Sequence, residues 1–355
     1  MFILVVSTVG CSKDDGVGPK PGPEPADFWV RTNGPYGGSV LVFAINSNGH
    51  IFAGTLRGGV FRSTDNGDSW VQINVGINLN VVGGNHIYAL AVNSNGHIFA
   101  GTIYNGVFRS VNNGNSWVEV NNGLGSRWVC ALKINSSGHI FAGTVYDGVF
   151  RSTDNGDSWT EVNTGMTDLQ IEDLAINSSG HIFVGTDGGV YRSMNNGDTW
   201  TRVNAGLGNI SIVRLAINSS GHIFAATSNG VFRSVDNGDS WTQAFTGLIQ
   251  YYITAIAFNS SGHIFAGTDW HGAFRSGDNG DSWVEVNAGL GGRSVVSLVF
   301  NSSGHIFAGT NSRGVYRSVN GGDSWTQVNT GLISRQIRAV PPKNSIPVEI
   351  GHTPG

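Results

Sequence analysis

Four carboxylates, Asp168, Glu172, Asp173 and Asp187, fall within residues 168–187. Paired carboxyl groups about 5 to 9.5 Å apart are the machinery of glycoside hydrolysis, one protonating the leaving oxygen and the other attacking or activating water. Spacing along the chain leaves open which two, if any, meet that condition. Around them in sequence stand cations and aromatics: Arg57, Arg127, Arg293 and Arg313, with Tyr104, Trp128, Tyr146, Tyr251, Tyr252, Trp270 and His271, and the further acids Asp147 and Asp269. Exposed aromatics mixed with Arg and Asp make up recognition surfaces for proteins, or for sugar rings stacked on indole and phenol.

Other residue types offer less. Seven histidines recur in the string Gly-His-Ile-Phe, at His50, His97, His139, His181, His222, His263 and His305. One per repeat is too dispersed to ligate a single ion, so they read as structural. Asp-rich loops invite a calcium reading, but three of the seven carry Asn112, Asn195 and Asn320 at the acidic position and none has a terminal glutamate ladder. Neither a metal nor a cofactor is expected. Of the two cysteines, Cys130 sits in an apolar strand and reads as a small core residue. With 20 Lys+Arg against 24 Asp+Glu, the 355-residue chain carries a formal net charge of −4 and has no electrostatic footprint for nucleic acid.

What must position these groups is a repeat. The motif Ser-x-Asp/Asn-x-Gly-x-Ser/Thr-Trp begins at Ser63, Ser110, Ser152, Ser193, Ser234, Ser276 and Ser318. Its tryptophans, Trp70, Trp117, Trp159, Trp200, Trp241, Trp283 and Trp325, recur at intervals near 42 residues. Repeat 3 parses into strand A from 129 to 134, strand B from 139 to 144, strand C from 149 to 152 and strand D from 159 to 162, with Asn/Gly/Ser/Asp turns between them. Such a period with four short strands predicts an all-β, seven-bladed β-propeller of four-stranded antiparallel blades over residues 28–340. An alternative has eight blades, with Phe28 to Thr32 and Gln336 to Val340 closing a hybrid blade. No proline lies between Tyr36 and Val340, as a continuous array of paired strands requires.

The motif, as in Ser152-Thr153-Asp154-Asn155-Gly156-Asp157-Ser158-Trp159, resembles the Asp-box or bacterial neuraminidase repeat of sialidases, xyloglucan-cleaving hydrolases, sortilin-like receptors and photosystem assembly factors. The resemblance covers some 300 residues and speaks for the fold far more than for any activity. A sialidase-like site would need three arginines, a Tyr/Glu pair and an acidic Asp, for which Arg57, Arg127, Arg293, Arg313, Tyr251, Tyr252, Glu172 and Asp168 are the available residues. The arginine-isoleucine-proline string of that family is absent. Residues 1–11, an apolar run ending in Cys11, resemble a bacterial lipoprotein signal with Cys11 as the lipidated residue. Residues 12–27 form a Pro/Gly-rich tether and 341–355 a C-terminal tail. The resemblance implies an extracytoplasmic, membrane-anchored lipoprotein whose only membrane contact is the lipid.

Sites are to be sought where the repeats disagree. The A–B turns and the motif hairpins fall on one face and are monotonous; the B–C and D–A loops fall on the other and carry the divergent residues named above. A second irregularity lies in strand A, where Lys133, Glu172, Asp173 and Arg214 place charges in a column otherwise small or apolar. Either they form an ion pair between blades lining the channel, or they make a polar site at its mouth. The reading is a monomeric, non-catalytic scaffold recognising a protein or glycan through the variable face; the alternative is a single-propeller, sialidase-like glycoside hydrolase.

Overall fold

A computed structural model describes residues 38–78, 86–243, 248, 251–291 and 294–332. The expected segments around Cys11, the tether, Phe28 to Thr32, Arg293, Gln336 to Val340 and the C-terminal tail lie outside the described residues. Seven antiparallel sheets of four strands each follow one another, and within every sheet the spatial order of strands is their order in the chain. In blade 3 the strands are Val129–Ile134, Ile140–Thr144, Val149–Ser152 and Thr160–Glu161, within a residue or so of the sequence parse.

Burial is greatest in strand B and falls off toward both the half-buried strand A at the channel and the exposed strand D at the rim. Strand B, Ile-Phe-Ala-Gly-Thr in blades 1, 2, 3, 6 and 7, is buried at every position, because neighbouring blades cover both of its faces. Strand D is two residues long and exposed in most blades, which leaves little free edge for another chain to pair with. Glycine in strand B permits the close approach of the next blade: a Cβ on Gly185 would stand 2.6 Å from Ile212 Cγ2.

The repeated residues are inter-blade fasteners. Trp159 donates its indole N–H to Val120 O at 2.8 Å and its backbone N–H to Asn122 O, both of the preceding blade. Arg151 of strand C reaches the following blade, donating to Asn196 O at 2.7 Å and pairing with Asp198 at 2.6 Å. His139 meets Asn196 through Nδ1 at 2.8 Å, and Asn135 bonds the same asparagine. Within the motif, Asp154 Oδ1 accepts from Ser158 N–H and Ser152 O–H, while Ser152 Oγ accepts from Gly156 N–H.

The same fasteners close the ring. Trp70 of blade 1 donates to Thr330 O and Val328 O of blade 7, Arg317 of blade 7 pairs with Asp68, and Ser297 donates to Val40 O. Blade 7 therefore packs directly on blade 1, and the protein is a seven-bladed β-propeller. The eight-bladed alternative is overturned because an eighth blade has no gap to enter.

Candidate functional site

Strand A of every blade lines the central channel, and each carries the same irregularity. The pairing with strand B slips by one residue after the first position, between Val40 and Val42, Ile87 and Ala89, Val129 and Ala131, and so on around the ring. A bulge of this kind re-aims the extra side chain. The bulged residues are Leu41, Tyr88, Cys130, Glu172, Val213, Thr254 and Val296, and all seven line one cavity of about 380 Å³ at the mouth of the channel. Its wall is completed by Trp128, Val145 and Tyr252, which come from the loop side, and by Arg214 of strand A. Deeper in the channel a second cavity of about 190 Å³ is lined by the next residues of strand A together with Lys133.

The strand A charges do not form the ion pair allowed as one expectation. Asp173 accepts from Leu174 N at 2.8 Å and, across the blade boundary, from Leu215 N at 2.9 Å. Bulging frees backbone donors from the ladder, and the carboxylate answers them. Arg214 donates to its own Val213 O at 2.7 Å and makes no ion pair within 4.0 Å. Lys133 is exposed and two residues further toward the motif face than the column that Asp173 and Arg214 share, while Glu172 lies one residue before it, so the four charges are spread over three depths. Cys130, expected in the core, is half-buried and lines the mouth, donating to Ile171 O at 2.8 Å. Burial pushes its thiol far above the ordinary range, with Glu172 and Asp173 adding to the shift, so it stays protonated.

Glu172 is the perturbed acid of the mouth. Burial raises its carboxyl above the usual range; Gln170 and Arg214 oppose the shift, Asp187 and Asp173 reinforce it. Gln170 Nε2 lies 3.3 Å from Glu172 Oε1 and 2.9 Å from Asp187 Oδ2, which makes the two carboxylates neighbours. The other oxygen of Asp187 accepts from Ser211 at 2.8 Å. Burial also raises the phenols of Tyr88 and Tyr252.

The remaining loop residues separate into groups. Trp128 stands between Tyr104 and Tyr146, ring centroids 6.4 and 5.5 Å away, making an aromatic arc over blades 2 and 3. Asp147 is half-buried beside Tyr146. Asp168 is a loop clamp, accepting from Gln170 N and Gly188 N. Tyr251 is half-buried against Phe274 and His271, and Asp269 accepts from Ser294 at 2.6 Å. Trp270 is 68% exposed with φ +73°, a left-handed conformation that a bulky side chain adopts at a cost. Arg57, also left-handed, and Arg313 are exposed in the B–C loops of blades 1 and 7, and Arg127 pairs with Glu119 of an outermost strand. No described loop arginine lines the mouth; Arg214 is the arginine there. Among the described residues no group of three or more His, Cys, Asp or Glu is placed to hold a metal ion.

Sequence reasoning missed Tyr88, Leu41, Val213, Thr254 and Val296. The signal was present one residue before the column that was compared: the position between the constant Ile/Val and that column is the most divergent in strand A.

Seven four-stranded blades around such a mouth define a β-propeller with one specialised, non-repeating end. Residues 135–251 match the DUF6242 beta propeller domain. No curated protein matches the chain. Among solved structures, the chain is similar to the extracellular domain of the putative one component system BT4673 from B. thetaiotaomicron, at 17% identity and TM-score 0.68, covering 79% of this chain and 38% of that one. It is similar to the GH74 xyloglucanase from Xanthomonas campestris, at 18% identity and TM-score 0.69, covering 85% and 56%. It is also similar to YCF48 from Cyanidioschyzon merolae, at 14% identity and TM-score 0.62, covering 79% and 95%. The chain thus spans well under two thirds of the length of the BT4673 domain and of the xyloglucanase. These likenesses are of fold.

Proposed function

We propose that this propeller is an extracytoplasmic, non-catalytic binding scaffold that takes a protein or glycan ligand on the B–C and D–A loop face, centred on the channel mouth. One observation carries the reading: sevenfold repetition is kept at nearly every contact that fastens blades and abandoned at the bulged residues, which surround a cavity of about 380 Å³. Scaffold alone gives no reason for seven equivalent bulges to present six residue types. The hydrogen bonding of Asp154 and Ser152 supports reading the motif as an Asp-box. YCF48 has been seen bound to a D1 peptide, and BT4673 is described as an extracellular domain, which supports a binding role outside the cytoplasm for this chain. Cys11 would supply the lipid anchor.

The arginines support the non-catalytic reading, since Arg127 is held at the rim by Glu119 and Asp168 is consumed by backbone N–H groups. The second reading, a glycosidase, is favoured by the raised pKa of Glu172 beside Asp187. Glycan and peptide arrays probed with the protein and with Trp128→Ala/Tyr252→Ala test the binding face. Loss of array binding in the double variant is expected, and unchanged binding rejects this face. Turnover of aryl glycosides that vanishes in Glu172→Gln would replace the scaffold reading with the enzymatic one.

A further inference from the structure

Glu172 and Arg214 come from adjacent blades, carry opposite charges and line the same cavity, yet they leave each other unpaired. Glu172 accepts only the long 3.3 Å bond from Gln170, and Arg214 donates only to the carbonyl of Val213. Asp173, which holds the Arg214 register position in the preceding blade, is already occupied by Leu174 N and Leu215 N. Partly buried charges ordinarily find partners, because an unpaired one forfeits hydration without return. Two opposite charges left open in one cavity therefore match a ligand that brings both complements. The burial that lifts the Glu172 carboxyl agrees with its lacking a paired cation.

We propose that the channel mouth binds a small zwitterion of the amino-acid class, its ammonium on Glu172, its carboxylate on Arg214 and its apolar side chain against Trp128, Tyr88 and Tyr252. The inference rests on the binding reading above and names the ligand chemistry of that site. A simple anion leaves Glu172 unmatched, a simple cation leaves Arg214 unmatched, and a neutral sugar matches neither charge. The cavity volume of about 380 Å³ is at the small end of ligand sites, which run from roughly 300 to 1,000 Å³, and suits a molecule of this size. Aromatic walls favour an aromatic or branched aliphatic side chain, and an ammonium near indole and phenol faces gains cation–π attraction.

Titration calorimetry of the whole chain tests this with L-phenylalanine, L-tryptophan and L-leucine, against N-acetyl-L-phenylalanine, L-phenylalanine amide and neutral oligosaccharides. The free amino acids are expected to bind, and blocking either terminus is expected to weaken binding about tenfold or more, the loss of one charge-assisted contact. Glu172→Gln is expected to erase the penalty for acetylation and Arg214→Gln the penalty for amidation, with melting temperatures confirming that both variants fold; Arg214→Met, equally uncharged, replaces the latter should it not. Amino-acid binding indifferent to both substitutions overturns the proposal. Oligosaccharide binding that depends on Trp128, with no amino-acid binding, overturns it too while leaving the binding face intact; a mouth that takes neither, with array ligands insensitive to Trp128 and Tyr252, overturns both.

Discussion

Gly321 stands where six of the seven motifs carry an asparagine at φ near +60°, such as Asn196 at +61°. That asparagine answers the histidine and the turn asparagine of the preceding blade, as Asn196 does for His139 and Asn135. At the junction of blades 6 and 7, His263 and Asn259 face a glycine. Gly321 has φ +69°, and an added Cβ would meet only Arg275 Nη1 at 3.6 Å, an ordinary contact. Gly321→Asn is therefore expected to stabilise the fold by about 0.5 to 1 kcal/mol in urea unfolding, from lost unfolded-state freedom and regained hydrogen bonds. Glu172 makes a pH prediction. Its folded carboxyl titrates above the ordinary value of 4.5, so the fold holds a proton that the unfolded chain has released, and stability falls as pH rises from about 4.5 through the folded value. Glu172→Gln is expected to melt higher than the parent at pH 7 and alike at pH 4, measured by thermal scans across that window.

At the scale of elements, the motif hairpin is a carboxylate wrapped in donors. Ser240 O–H and N–H, with Ser234 O–H, hold Asp236 down to about 2, and Ser282 and Ser276 do the same for Asp278. A depressed acid stabilises the fold above its unfolded value of 3.8, and that contribution is lost as pH falls toward 2. Asparagine already fills this position in blade 2: Asn112 accepts from Ser116 N at 2.9 Å and donates to Ser116 Oγ at 2.8 Å. Asp236→Asn/Asp278→Asn is expected to leave neutral stability nearly unchanged and to flatten the acid limb between pH 4 and 2, followed by circular dichroism. A steeper acid limb would show that these hairpins do not govern acid unfolding. The opposite end of each blade is set by asparagines that follow strand D: Asn163 accepts from Val149 N and donates to Asp147 O, pinning the B–C loop that carries Tyr146.

For the whole molecule the seam between blades 7 and 1 is the distinctive test. Many closed structures need their first and last segments to share one sheet; here each blade is a contiguous repeat, and closure uses the contacts found at other junctions. Trp70, which spans the seam, is buried like Trp159, and each donates its indole N–H to the preceding blade. Trp70→Ala and Trp159→Ala are expected to cost the same, about 3 to 5 kcal/mol each in denaturant unfolding. A clearly smaller loss at Trp70 would show that the ring is held loosely at its join. The six inter-blade Arg–Asp pairs add little by comparison, since their aspartates are mostly exposed.

The period of Trp70 to Trp325, the turn glycines and the absence of proline determined strands, blades and the two unlike faces, because hydrogen-bonded hairpins are local and each repeat states its own. The divergent loops were legible for the same reason. Three things waited for the tertiary structure: that seven blades leave no room for an eighth, that Asp173 is spent on Leu215 of the next blade, and that a bulge turns Tyr88, Glu172 and their five counterparts into the mouth. Each depends on contacts between residues a full repeat apart or on a one-residue slip in register. Neither leaves a trace in the spacing of a single repeat, since a slipped strand keeps its residues and changes only where they point.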